Sequence, residues 1–234
     1  MVILPIGDEN RRNRSTPYIV YILIATNIAV FAYEYLLGTN YGDKAIQRFI
    51  YDFGAVPSQI LGLYPKPIGL FTSMFLHADL IHLFGNMMFL WIFADNIEDS
   101  LGAVKFTIFY ILCGLIAGFA SVLVRVGSLD PNIPGIGASG AIAGVLGAYF
   151  TLFPRNRIRT FYWMFFIWMG TADIAAIWYL GIWVLWQFLL QGASSAAGAV
   201  GGVDYMAHLA GFIAGIVLIS LFPKQKKTVL ARKR

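Results

Sequence analysis

Long runs of apolar residues, separated by short polar segments, dominate this sequence. An α-helix needs roughly 20 apolar residues to cross the hydrocarbon core of a bilayer. Six runs approach or reach that length. We therefore predict an all-α fold, a polytopic membrane protein built as a bundle of six transmembrane helices. The predicted spans are Tyr18–Leu37, Phe71–Ala94, Val104–Val126, Ser139–Phe153, Ile174–Leu190 and Tyr205–Phe222.

Two further apolar segments lie outside these spans. Phe161–Met169 is separated from the fifth span by Gly170 and Asp173, and we interpret it as an interfacial segment or as the start of a long tilted helix. The first outer loop, Gly38–Leu70, is long and largely apolar. We expect this loop to lie in the outer membrane interface rather than in water.

The composition agrees with a membrane protein and argues against a nucleic-acid-binding one. Only 12% of the residues are charged, against about 25% in soluble domains. The formal net charge is +5, but the basic residues form short clusters beside apolar runs, a pattern that suits membrane topology. We predict the lipid bilayer as a partner and no nucleic acid.

The distribution of positive charge predicts the orientation. The N-terminal arm, the loop at Lys105, the Arg155–Arg159 loop and the C-terminal tail hold 13 of the 17 Lys and Arg residues, and six spans place all four on one side. Positive residues favour the cytoplasmic side. We predict a multi-pass protein of the cell (inner) membrane with both termini cytoplasmic: residues 1–17 as an arm, 18–222 as the membrane domain and 223–234 as a basic tail.

Strongly polar groups inside spans are costly and are candidates for function. The three histidines of the chain, His77, His82 and His208, all fall in or at the edge of predicted spans. Asn86 lies one helical turn after His82, and Ser139 opens the fourth span in a Gly-rich segment.

Counting residues places three of these groups at one depth. Ser139 and His208 each lie 14 residues before the Phe that ends their span, or ~21 Å at the helical rise. His82 lies ~20 Å from the inner end of its span by the same rise. All three therefore lie roughly 10 Å below the outer surface of the ~30 Å core.

Small residues at four-residue spacing predict which spans approach each other. The fourth span carries Gly140-x3-Gly144 and Ala143-x3-Gly147, and the sixth carries Ala207-x3-Gly211-x3-Gly215. Such stripes let helix backbones approach closely in lipid. If these stripes meet, Ser139 and His208 come within hydrogen-bonding reach.

Each feature taken alone also has a purely structural interpretation. Ser139 is a suitable helix N-cap, Asn86 a suitable interhelical hydrogen-bond partner, and a membrane histidine a buried polar group bonded to a carbonyl. Asp204, one turn before His208, is either the N-cap of the sixth span or a carboxylate that orients the imidazole; we favour the cap. The conjunction of nucleophile, imidazole and amide at one depth favours function.

These residues resemble the rhomboid family of intramembrane serine proteases, over roughly Phe71 to Phe222. His82-x3-Asn86 is similar to the His-x3-Asn of the family's second span, with His77 five residues earlier. Gly137-Ala138-Ser139-Gly140 resembles its nucleophile motif, and Ala207-His208-x2-Gly211-x3-Gly215 its motif in the sixth span. Glu98 resembles the acidic residue after the second span.

Two positions depart from the family pattern. Where many members have Trp-Arg before the second span, this chain has Ile68-Gly69. Where several bacterial members have a Tyr four residues after the nucleophile, this chain has Ala143. Loop anchoring and histidine packing are therefore expected to differ.

The resemblance implies a serine endopeptidase that cuts transmembrane segments of single-span membrane proteins near the outer face. Ser139 would be the nucleophile and His208 the general base. Asn86, His82 and the Ser139 main-chain N–H, with Gly137 beside them, would stabilise the oxyanion. No metal and no cofactor are expected.

Three other functions remain open from the residues. The first is a catalytically inactive rhomboid-like protein that binds transmembrane clients, although such proteins usually lack the Ser or the His. The second is a His-dependent proton-coupled transporter, which the near absence of acidic residues deep in the other spans disfavours. The third is a metalloenzyme with three histidine ligands, disfavoured by the lack of HExxH.

Overall fold

A computed structural model describes residues 2–9, 16–63, 65–126, 131–164, 168–196 and 202–222. The basic tail predicted at 223–234 and most of the polar part of the N-terminal arm lie outside the described residues, as do parts of the other two predicted outer loops, residues 127–138 and 191–204.

The described residues are mostly helical. Four helices are long and apolar enough to cross a membrane, and two shorter apolar helices occupy the predicted fourth and sixth spans. The six-span count therefore stays a prediction.

The helices of the described residues are α1 Tyr18–Tyr41, α2 Asp43–Phe53, α3 Pro57–Ile60, α4 Ile68–Thr72, α5 Leu80–Leu101, α6 Ala103–Arg125, α7 Ser139–Leu152, α8 Ala176–Ala196 and α9 Tyr205–Leu221, with a 3₁₀ turn at Ser73–Phe75.

The second span begins later than predicted, at Leu80 rather than Phe71. Asp79 is extended and its carboxylate accepts a hydrogen bond from the main-chain N–H of His82 at 2.8 Å. This side-chain cap supplies one of the acceptors that the first turn of a helix lacks. The hydropathy of the preceding residues concealed the break, because Phe71 and the segment 74–76 are also apolar.

The predicted helical fold holds for most of the described residues, but a three-stranded antiparallel sheet departs from it. Its strands are β1 Val2–Asp8, β2 Arg157–Met164 and β3 Trp168–Ala175, in the order β1-β2-β3. Arg157 and Arg159 are exposed while Ile158 and Thr160 are buried, the period-2 alternation of a half-buried strand. The segment that we interpreted as interfacial or helical lies in β2 and β3, apart from residues 165–167, which are outside the described part.

The sheet is joined to the helices through Asp8. Its carboxylate accepts hydrogen bonds from the Tyr149 hydroxyl at 2.5 Å and from the Asn96 side-chain amide at 2.8 Å. The beginning of the chain, predicted only as an arm, is therefore part of the packed structure. The main-chain N–H groups of Ile19 and Val20 donate to the Glu98 carboxylate at 3.1 and 3.0 Å, which ties the start of α1 to α5.

Helix α7 is the central helix, and every residue from Gly140 to Tyr149 is buried. Its glycines lie against α9. A Cβ atom built on Gly211 would lie 2.1 Å from the Gly140 carbonyl oxygen, and one on Gly215 would lie 1.9 Å from that of Gly144. The predicted contact between the two small-residue stripes is confirmed. Only glycine permits this distance, because any side chain would force the two backbones apart.

Candidate active site

Ser139 is the first residue of α7, and the loop before it is held by Gly137. The main-chain N–H of Gly137 donates to the Ser73 carbonyl oxygen at 2.8 Å, and its φ is +123°. A Cβ atom at Gly137 would lie 2.8 Å from His82 Cε1 and 3.7 Å from Asn86 Nδ2. Glycine is therefore required both by the conformation and by the close approach to these side chains.

His77, His82 and Asn86 form one cluster beside that loop. Asn86 Nδ2 lies 3.0 Å from His77 Nε2, and the His77 and His82 rings are in edge contact with centroids 5.1 Å apart. His77 and Asn86 are buried. The structure thus brings together Gly137, His82 and Asn86, three of the predicted site residues, where the chain leads into Ser139.

His208 lies on α9 next to the Ser139 turn of α7. A Cβ atom on Gly140 would lie 3.8 Å from both the Cβ and the carbonyl oxygen of Ala207, so the residue after Ser139 touches the residue before His208. Between the described side chains of Ser139 and His208 there is no hydrogen bond. The His208 Nδ1 atom instead lies 2.8 Å from Gln187 Oε1 on α8.

Asp204 is the N-cap of α9, as favoured from the sequence. One carboxylate oxygen accepts from the main-chain N–H of Ala207 at 3.0 Å. The other accepts from the Ser121 hydroxyl and lies 3.9 Å from the Arg125 guanidinium. Both oxygens are therefore engaged away from the imidazole of His208.

A cavity opens beside Ser139. Its lining combines small residues with the polar side chains of Ser73, Ser121, Ser139 and Asp204. Such a cavity offers hydrogen-bonding partners to water within an otherwise apolar bundle.

A family model of the Rhomboid domain matches residues 65–225. The chain belongs to the rhomboid family.

Similar proteins come from organelles of several organisms. This rhomboid is 30% identical over 206 residues to Rhomboid protein 1, mitochondrial, of Saccharomyces cerevisiae, covering 85% of this chain and 51% of the yeast protein. It is 34% identical over 139 residues to human Presenilin-associated rhomboid-like protein, mitochondrial, covering 58% and 36%. It is 29% identical over 227 residues to Rhomboid-like protein 11, chloroplastic, of Arabidopsis thaliana, covering 93% and 70%. The chain thus spans about half of the yeast relative and about a third of the human one.

These relatives contradict the predicted localisation. We predicted a cell (inner) membrane from charge alone, whereas the matched rhomboids are named as mitochondrial or chloroplastic. The names of these relatives place them in organelles, and the prediction of a bacterial-type cell membrane is therefore withdrawn. The distribution of Lys and Arg distinguishes the two faces of a membrane, and it carries no information on which membrane it is.

Three residues near the site were missed from the sequence. Gln187 and Trp183 on α8 both contact His208, and Glu34 on α1 accepts a hydrogen bond from the main-chain N–H of His77 at 3.2 Å. Gln187 and Glu34 are polar residues within predicted spans, the signal by which the histidines were found. Glu34 also removes part of the argument against a transporter, since a buried acid does lie in another span.

Proposed function

We propose that this rhomboid is an intramembrane serine endopeptidase with Ser139 as nucleophile and His208 as general base. The observation that carries the proposal is the contact between Gly140 and Ala207. These residues are adjacent in sequence to Ser139 and His208, which are therefore neighbours on adjoining helices. Catalytic hydrogen bonds are often long or poorly aligned in a structure without substrate and tighten when substrate binds. The dyad is complete when the Ser139 hydroxyl reaches the imidazole of His208.

The dyad would work by acyl transfer. Ser139 Oγ attacks the scissile carbonyl carbon while His208 Nε2 takes the hydroxyl proton. The tetrahedral intermediate then expels the amine, which receives that proton from His208, and leaves an acyl-enzyme. Water, deprotonated by His208, hydrolyses the ester and restores Ser139. The polar cavity lined by Ser73, Ser121 and Asp204 supports this step, because hydrolysis within the bundle requires a route for water.

The oxyanion would be stabilised beside Gly137. His82 and the Asn86 amide adjoin that glycine, and the main-chain N–H of Ser139 lies at the first turn of α7, where helix N–H groups have no partner within the helix. Removing one oxyanion donor typically costs about 2.7–4 kcal/mol of transition-state stabilisation.

The proposed substrates are single-span membrane proteins, cut near the outer end of the span. A regular helix engages its backbone carbonyls in hydrogen bonds, so the segment has to unwind before attack. Spans that contain Gly or Pro are therefore preferred, since these residues weaken a helix, with a small residue before the cut.

The decisive experiment combines cleavage with covalent labelling. The purified protein is incubated in detergent with a panel of single-span reporters, with and without a chelator, and compared with the Ser139→Ala and His208→Ala variants. We expect chelator-insensitive cleavage by the wild type, none by either variant, and fluorophosphonate labelling at Ser139. Ser220→Ala, on the exposed side of α9, is the matched control and should cleave normally.

Full cleavage by the Ser139→Ala protein would refute the proposal. Binding of reporters by the wild type without any cleavage would instead indicate a client-binding member of the family.

A further inference from the structure

The side of His208 that faces α8 is covered by two residues of that helix. Trp183 and Gln187 are four residues apart, so they lie on one face one turn from each other. The Trp183 and His208 ring centroids are 5.9 Å apart at an interplanar angle of 32°. Gln187 Oε1 lies 2.8 Å from His208 Nδ1. The imidazole is therefore contacted on its face by one residue and at its Nδ1 edge by the other.

The Gln187 side chain is a buried polar group, only 7% exposed, in a helix that is otherwise strongly apolar. A buried amide is costly unless its groups are hydrogen-bonded. The contact with His208 provides a partner for the amide oxygen.

The direction of this hydrogen bond fixes the state of the imidazole. An amide oxygen only accepts, so Nδ1 has to carry the proton that it donates. In a neutral imidazole, Nε2 then keeps its lone pair. This is the tautomer that a general base needs when it takes a proton through Nε2, and in triad enzymes a third residue selects it in the same way.

The geometry points to Gln187 as the residue that positions His208, in the place that a carboxylate occupies in a Ser-His-Asp triad, with Trp183 packed against the same ring. The inference rests on the proposed dyad. A neutral amide selects the tautomer without adding a buried charge, which suits a helix that faces lipid. Several bacterial family members have a Tyr at the position of Ala143 on α7. In this chain the aromatic contact with His208 comes instead from Trp183 on α8.

The test compares Gln187→Met, which keeps the length of the side chain without the acceptor, with Gln187→Glu, which restores an acceptor. We expect kcat for a single-span reporter to fall between about tenfold and 10³-fold in Gln187→Met with KM nearly unchanged, less than the ~10⁴ associated with a triad carboxylate. Gln187→Glu should recover most of that loss. The matched control is Gln191→Met, one turn further along α8, where the amide donates to Ser195 at 3.0 Å and is exposed; its kcat should not change.

A second measurement does not depend on proteolysis. In protein labelled with ¹⁵N-histidine and carrying Ser139→Ala, the His208 resonances should report a proton on Nδ1, and the added Gln187→Met substitution should abolish that single-tautomer signature. An unchanged kcat in folded Gln187→Met, or an Nε2-protonated His208 beside intact Gln187, would overturn the inference. Full cleavage by Ser139→Ala would overturn the dyad itself, and the tautomer measurement would still decide whether Gln187 orients the imidazole.

Discussion

The Tyr149 hydroxyl donates a 2.5 Å hydrogen bond to the carboxylate of Asp8, 141 residues away in the sequence. Tyr149 is fully buried near the end of α7 opposite to Ser139, and Asp8 ends strand β1. The first strand of the chain is thereby anchored to the helix that carries the proposed nucleophile.

Replacing Tyr149 with Phe tests this anchor. The substitution removes the donor and leaves a carboxylate less well satisfied, and hydrogen bonds to charged groups contribute about 1.5–3 kcal/mol to stability. We expect a lower melting temperature in detergent and faster proteolysis around β1. Tyr110→Phe is the control, because the Tyr110 hydroxyl is buried with no partner among the described residues; its loss should be neutral or stabilising. Equal effects of the two substitutions would show that the anchor contributes nothing.

The close contact between α7 and α9 predicts a severe effect of a single methyl group. In Gly211→Ala the new Cβ would lie 2.1 Å from the Gly140 carbonyl oxygen, so the helices have to separate. Overpacking typically costs about 1–3 kcal/mol or more. The separation also moves Ser139 away from His208, so we expect both a lower melting temperature and loss of fluorophosphonate labelling.

Gly181→Ala is the matched control for that experiment. A Cβ at Gly181, in the second turn of α8, meets no atom within 4 Å. Its melting temperature should be unchanged or slightly higher, since Ala favours helix more than Gly does. A Gly211→Ala protein as stable and as reactive as Gly181→Ala would contradict the observed packing.

The sequence was most informative for side chains whose chemistry is costly in a membrane and for stripes of small residues. The contact of the two glycine stripes followed from residue spacing along regular helices, and so did the shared depth expected for His82 and Ser139, whereas Gly137 entered only with the family's nucleophile motif. The sheet did not follow from spacing, because Val2–Asp8 and Arg157–Met164 are far apart in sequence and a hydropathy window cannot detect strand pairing. The alternation of Arg157 to Thr160 was a usable local signal, concealed by the apolar residues after it.

The contacts of His208 could not have been predicted from spacing alone. Gln187 lies on a different helix from both dyad residues, and its rotation about the α8 axis depends on how that helix packs against α9. The polar character of Gln187 within an apolar span was a signal that the sequence analysis missed, and only the fold assigns its partner.

Asn86→Ala should lower kcat more than it raises KM. A donor directed at developing negative charge acts mainly in the transition state, and loss of one such donor typically reduces kcat about 10²–10³-fold. His82→Ala should behave similarly. His77→Ala removes a ring that contacts both residues, so we expect it to act mainly through stability. If Asn86→Ala changes substrate binding as much as the rate, Asn86 is a structural residue.

Glu34 is expected to support that cluster from α1. Its carboxylate accepts from the buried main-chain N–H of His77, and an orphaned buried donor costs about 1–3 kcal/mol. Glu34→Ala should therefore lower stability and accelerate hydrogen exchange of the His77 amide, whereas Glu34→Gln retains an acceptor and should resemble wild type. Asn27→Ala, two turns earlier, is the control, because among the described residues the Asn27 amide bonds only within its own helix. Unaltered exchange at His77 in Glu34→Ala would contradict the prediction.

The Asp204→Asn substitution distinguishes two possible roles of Asp204, the N-cap of α9 and a triad carboxylate that acts on His208. In the structure one oxygen of Asp204 caps α9 at Ala207, and the other pairs with Ser121 and Arg125. Asn also caps helices well and keeps the size of the side chain, so the position of His208 should be preserved. The lost charge affects mainly the pair with Arg125, which is partly exposed and therefore worth little.

We expect Asp204→Asn to keep activity within about tenfold of wild type, whereas loss of a triad carboxylate costs about 10⁴ in kcat. Asp204→Ala, which removes the cap, should cost about 0.5–2 kcal/mol in stability and lower activity only as far as the folded population falls. A loss near 10⁴ in well-folded Asp204→Asn would show that Asp204 acts on His208 directly. Gln187 would then not be the residue that selects the imidazole tautomer, so this single substitution also bears on the arrangement inferred at α8.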